Sequence, residues 1–134
     1  MELFNLFLDY LNDIGAVVEE KQPNSIVFRH HDRYFMFRVE GDSDEHYFQI
    51  LLPNIYDIPS GRDSDIQSRI MELNIRIKAI KGLIIRSDDP TASRVWLVCE
   101  QFVYSAENIE ILFSRSVGAL LRYYMDFRTI VSHA

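Results

Sequence analysis

The chain reads as an α+β domain: a single antiparallel β-sheet with three helices, in the order α, three or four β, α, two β, α. Three observations predict this. Apolar residues recur at helical spacing in three segments, near the start, middle and end of the chain. Between them lie short runs rich in β-branched and aromatic residues. The links between most of those runs are only a few residues long, which requires antiparallel pairing, because a parallel crossover takes about a dozen residues or more. The helices are then expected to cover one face of a single twisted sheet.

The first helix places Leu3, Phe7, Tyr10 and Ile14 on one stripe, with Leu6 and Leu11 beside them, and Gly15 supplies a left-handed stop. Val17 to Lys21 is a short strand closed by Pro23 and Asn24. Ser25 to His30 and Arg33 to Glu40 form a hairpin across the link His31-Asp32. In its second strand Phe35, Phe37 and Val39 share the core face, while Tyr34, Met36 and Arg38 share the other. After the acidic turn from Gly41 to Asp44, His46 to Leu52 is a strand that Pro53 ends, and residues 53 to 61 are a loop.

Ser64-Asp65-Ile66-Gln67 has the capping-box pattern, so a helix is expected to start there. Its stripe is Ile66, Ile70, Leu73, Ile77 and Ile80, and Gly82 is read as its stop. Leu83 to Ser87 is a strand, Asp88 to Ser93 a polar loop containing Pro90, and Arg94 to Tyr104 a longer strand. Ser105 is read as the cap of the last helix, with Glu107 at the positive end of its dipole. The buried stripe of that helix is Ile109, Phe113, Val117, Leu120, Tyr124 and Phe127. No linker, repeat or low-complexity stretch divides residues 1–134, so they are expected to form one domain.

Composition narrows the functional classes. At 134 residues, 48% apolar and 25% charged, the chain can bury a core of its own without a metal or disulfide. The lone Cys99 lies inside the run Val95-Trp96-Leu97-Val98-Cys99, reads as a small core residue, and favours a reducing, cytoplasmic compartment. The amino terminus lacks a basic region and carries Asp9 and Asp13, so neither a signal peptide nor a membrane anchor is expected. A net charge of -6 argues against nucleic acid, whose phosphates are bound mainly by clustered Lys and Arg. It favours a basic or amphipathic partner.

Motifs for catalysis or cofactors are absent from the sequence. His30, His31 and His46 are the metal candidates, but adjacent strand residues point to opposite faces and nothing supplies the remaining ligands. There is no strained serine elbow, and no glycine-rich loop to cradle a phosphate. The carboxylates Asp42, Asp44, Glu45, Asp63, Asp65, Asp88 and Asp89 fall in turns and helix starts, where Asp is favoured for local reasons. No enzyme activity, cofactor or metal is expected.

The informative feature is a surplus of apolar residues. From Arg94 to Tyr104 one strand face carries Val95, Leu97, Cys99 and Val103, and the other carries Trp96, Val98 and Phe102 with only Glu100 to interrupt it. Tyr34 and Met36 extend this second face, as do Tyr or Leu residues between Tyr47 and Leu52, depending on register. Helices on one side of the sheet would leave a patch larger than soluble proteins usually expose. A second copy of the chain, a target segment, or the third helix wrapping round could cover it. The candidate partner-binding residues are Tyr34, Met36, Trp96, Val98 and Phe102.

The second half of the chain resembles a known architecture. The Leu73-Asn74-x-x-Ile77 helix, the strand after Gly82, the Val95-Trp96-Leu97 strand and Asn108-Ile109 opening a long final helix are similar to the secretion-chaperone-like fold. That fold is shared by class I type III secretion chaperones and the YbjN-like family of bacterial sensory transduction regulators. The first half agrees in architecture without a sharp motif. The resemblance implies a non-catalytic, chaperone-like or regulatory protein-binding module, acting as a homodimer, and places a YbjN-like protein ahead of a dedicated chaperone. The alternative is a small-molecule sensor with a pocket between sheet and helices.

Overall fold

The computed structural model describes residues 2–86 and 92–132. Among them run α1 (Leu3–Ile14), β1 (Val17–Gln22), β2 (Ser25–His30), β3 (Arg33–Val39), β4 (Tyr47–Asp57), α2 (Asp63–Arg76), β5 (Ile80–Ile85), β6 (Arg94–Phe102) and α3 (Ile109–Ser132), with a short 3-10 turn at Gly41–Ser43. The strands form one six-stranded sheet in the order β1-β2-β3-β4-β6-β5, with every neighbouring pair antiparallel. The α+β class and the element order agree with the sequence reading. The expected end of a strand at Ser87, and the polar loop with Asp88, Asp89 and Pro90, lie outside the described residues.

All three helices lie on one side of the sheet. α1 packs on β1 and β3, α3 on β4, β5 and β6, and α2 against β5 and α3. The core between the layers is built from rings. Phe7 of α1 stacks on Phe37 of β3 with centroids 4.1 Å apart, and meets Phe113 of α3 edge-on at 4.8 Å. Phe28 and Phe35 stack beneath them, and Phe48 meets Phe113 edge-on. Such offset and edge-to-face pairs add to the area term that drives their burial. The predicted stripe of α3 is buried throughout, and in α1 Leu3, Phe7, Tyr10 and Leu11 are buried, while Ile14 at the carboxyl-terminal end stays exposed.

Several boundaries differ from the sequence reading, each for a local reason. α2 begins at Asp63 with Arg62 at the cap position, and no side chain makes a capping bond. Ser64 is therefore not the cap; the first turn is instead favoured by the acidic Asp63 and Asp65, which suit the positive end of the helix dipole. Asp65 is also paired with Arg62 at 2.5 Å and Arg69 at 3.5 Å. The helix stops at Arg76, Ile77 is extended, and Ala79 takes the left-handed conformation. Ile80 and Gly82 belong to β5 rather than to the helix, their inward-facing strand positions happening to continue the apolar spacing. Pro53 does not end β4. It sits where the β4–β6 register shifts between Leu52 and Tyr56, a bulge in which a missing N–H costs no ladder bond. Ser105 accepts from the amide of Glu107 at 3.1 Å in the turn before α3, three residues short of Asn108, the position that precedes the helix start at Ile109.

Gly82 has a steric role. A Cβ built there would lie 2.5 Å from the Tyr123 hydroxyl and 3.0 Å from Ile70, both buried. The bare backbone lets Tyr123 of α3 reach between α2 and β5. Its hydroxyl donates to Oδ1 of Asn74 at 2.6 Å and lies 3.2 Å from the Ile70 carbonyl, and Asn74 holds Gly82 at both backbone groups. Gly82→Ala is therefore expected to cost about 1–3 kcal/mol in urea unfolding through overpacking. Tyr123→Phe in the same background should recover part of that loss by removing the clashing oxygen.

Candidate functional site

The face of the sheet opposite the helices carries no helix of the described residues. Strand register sorts its side chains into rows. One row is apolar across four strands: Val27, Met36, Leu51 and Val98, ending in Lys81 at β5. On one side of it lie Arg29 with Tyr34, and Trp96 with Leu83. On its other side a polar row runs Ser25, Arg38, Gln49, Glu100. Beyond that, Tyr47 and Phe102 are paired with ring centroids 5.3 Å apart.

The five residues singled out from the sequence all project from this face, but they do not form one cluster. Met36 and Val98 share the apolar row with Leu51 between them, and Tyr34 and Trp96 lie one row along. Phe102 is separated from them by the polar row. Their exposure divides them further: Tyr34 is 53% and Phe102 65% exposed, Trp96 and Met36 are partly buried, and Val98 is 3% exposed. Leu51, at 7%, is similarly sheltered. No helix of the described residues lies above Val98 and Leu51. Tyr47, Leu51, Leu83 and Lys81 were not on the sequence-based list, because only the register decides which alternate set of β4 and which positions of β5 face outward.

Two polar arrangements fix the geometry of the face. The Trp96 indole N–H donates to Oδ1 of Asn54 at 2.9 Å, and Asn54 lies in the β4 bulge with a positive φ of 54°. The bulge thus aims an acceptor at the one tryptophan. At the far side of the apolar row, Tyr47 donates to the Glu100 carboxylate, which also pairs with Lys81 at 3.2 Å. Partial burial, with the Glu100 hydrogen bond second, pushes the Tyr47 hydroxyl up to about 12, while the bonds from Tyr47 and Lys81 hold the Glu100 carboxyl below its usual range.

The other sequence candidates are placed as follows. Cys99 is buried in the helix-side core, where burial pushes its thiol up and keeps it protonated. At the β2–β3 hairpin both turn residues, His31 and Asp32, have positive φ, and this turn brings the His30 and His31 rings to 4.1 Å, edge to face. His46 sits apart from them, its Nδ1 3.2 Å from the Val103 carbonyl. Among the described residues no three His, Cys, Asp or Glu side chains converge as a ligand set. No helix of the described residues is long and apolar enough to cross a membrane. Between sheet and helices, where the sensor reading requires a ligand pocket, the rings of Phe7, Phe28, Phe35, Phe37, Phe48, Phe113, Tyr123 and Phe127 are all essentially inaccessible.

No protein-family profile and no curated protein sequence matches the chain. Solved structures similar to it include these two. One is YbjN from E. coli, a protein proposed to be a transcription regulator: the TM-score is 0.72 at 8% identity, over 94% of this chain and 91% of that one. The fold is YbjN-like. The other, an uncharacterized protein from Methanothermobacter thermautotrophicus, has a TM-score of 0.60 at 11% identity, over 96% of each chain. The YbjN-like arrangement seen here is thus compatible with very different sequences.

The Tyr47–Glu100 pair predicts a pH response. Neutral Tyr47 is favoured in the folded chain, so its contribution to stability is complete below pH 10, where a free tyrosine ionises, and is lost as pH rises toward about 12. Glu100→Gln should bring the Tyr47 ionisation back toward 10, seen as an earlier tyrosinate step in ultraviolet absorbance titration. An unchanged titration curve would mean the pair does not form in solution.

Proposed function

We propose that this chain is a non-catalytic protein-binding module of regulatory or chaperone-like type, acting in the cytoplasm, and that it pairs with a second copy of itself through the open sheet face. The observation that carries this reading is the accessible apolar set Val27, Met36, Tyr34, Trp96 and Leu83, gathered around the sheltered Leu51 and Val98, on a face that carries no helix of the described residues. Six strands about 4.8 Å apart and about 25 Å long on average present roughly 700 Å² in projection. That is close to the ~800 Å² per partner of a standard stable interface. Aromatic residues bordered by a polar row are also the composition from which interface cores are made.

The similarity to YbjN supports a regulatory role, since that protein is itself proposed to be a transcription regulator. A net charge of -6 favours action through protein contacts over direct binding to DNA.

Light scattering across a concentration series tests the pairing. A dimer is expected, with the fluorescence of Trp96 shifting to shorter wavelength as it forms. Tyr34→Asp and Trp96→Asp should each weaken association at least about tenfold, equivalent to about 1.4 kcal/mol. Tyr34→Asp, at an exposed position, should change unfolding stability by only about 0.5 kcal/mol. A chain that stays monomeric at high concentration, or that dimerises unaffected by both substitutions, would refute the proposal.

A further inference from the structure

A sheet can meet a partner through its face or through its edges, and an unpaired edge strand is a template for any extended chain. Here the edges are β1 and β5. β1 is exposed along its length, carries Glu19, Glu20 and Lys21, and has a register shift between Val18 and Glu20. Charge and a bulge are common means of blunting an edge. β5 has no bulge, and the one charge in its sequence Ile-Lys-Gly-Leu-Ile-Ile, Lys81, is paired with Glu100 on the sheet face; its register with β6 is regular, and Leu83 and Ile85 are exposed.

The edge of β5 is occupied in another way. In an antiparallel pair, alternate residues turn their backbone groups toward the neighbour and away from it. Gly82 turns its groups away from β6, because its N–H donates to Asn74 Oδ1 at 2.8 Å and its carbonyl accepts from Asn74 Nδ2 at 3.3 Å. One side-chain amide thus makes the two bonds that an added strand would make at that position. The amide is oriented by Tyr123, whose hydroxyl donates to the same Oδ1. Asn74 and Gly82 line a cleft of about 330 Å³ between α2 and β5. An incoming strand would need Ile80, Gly82 and Ile84 in succession, and the central one is taken.

Resting on the reading that a second copy is the partner, we infer that Asn74 stands in for a seventh strand at the β5 edge and so directs association to the open face. The two copies meet sheet face to sheet face, without extending the sheet. The residues that carry this are distinct from those of the face itself, so each idea can fail alone.

Hydrogen exchange resolved at single amides, on the full chain, tests it. Gly82 and Ile84 both turn their amides to the edge, yet the Gly82 amide should exchange at least about tenfold more slowly than that of Ile84, one hydrogen bond being worth about a factor of ten. Raising the concentration until dimer forms should leave the Ile84 amide unprotected. Asn74→Ala should speed Gly82 exchange about tenfold or more and yield larger assemblies in which Ile84 becomes protected. Asn74→Asp retains the acceptor for the Gly82 amide and should keep it slow, which provides a variant should the alanine chain fail to fold. A fast Gly82 amide in the native chain, new Ile84 protection in the native dimer, or Asn74→Ala assembling as the native chain does would each overturn the inference. A native chain that remains monomeric with a slow Gly82 amide, and an Asn74→Ala chain that extends its sheet, would support the edge role while removing the face-to-face dimer.

Discussion

The contact between the Tyr123 hydroxyl and the bare backbone of Gly82 ties the last helix to the sheet edge and to the helix beside it. Three elements meet there: α3 supplies the ring, α2 supplies Asn74 and the Ile70 carbonyl, and β5 supplies a position with no side chain. Burial raises the Tyr123 hydroxyl far above its ordinary range, so it stays a neutral donor, and its partners satisfy a polar group that would otherwise be costly inside the core. α3 lies along the same side of the sheet as α1 and α2, and at this point it packs down onto β5. The third helix therefore does not wrap to the second face, which was one of the ways the apolar surplus could have been sheltered.

The second face solves part of that problem with its own side chains. Leu51 and Val98 are as buried as core residues although only strand neighbours surround them. The larger residues of the same face remain partly or largely exposed. Tyr and Trp suit this position, since each combines a wide apolar surface with a polar group that can stay hydrated or bonded. Asn54 gives the Trp96 indole such a partner, and Glu100 gives one to Tyr47. Side chains with their polar ends already satisfied lose less freedom on meeting a partner than mobile ones would.

How far the sequence revealed this arrangement depended on the length scale of each signal. The stripe in α3 and the alternation in β3 were legible because each repeats several times within one element. The two-residue hairpin at His31-Asp32 was legible because strand runs abut it closely. The stop of α2 was not. Ile77 and Ile80 continue a helical spacing by chance, and Gly82 looks like a helix stop until Tyr123, 41 positions further along the sequence, supplies the reason for it. Tyr123 itself lies beside the α3 stripe and carries no local mark. The open-face residues were recognisable as apolar strand positions, but the polar row separating Phe102 from the rest needs the β3–β4–β6 register, which no local pattern contains.

That same register makes a face a more selective partner surface than an edge. Edge pairing uses backbone groups that every residue possesses, so it discriminates weakly, whereas a face offers a fixed order of rows. On this sheet the order is aromatic pair, polar row, apolar row, then Tyr34 and Trp96. A surface laid across it out of step would set apolar side chains against Arg38 and Glu100 and strand their charges without water, which costs more than the contact returns. Blunting β1 with charge and β5 with Asn74 leaves the selective surface as the one still open. The polar groups that appear to interrupt an apolar patch are then what give it a register.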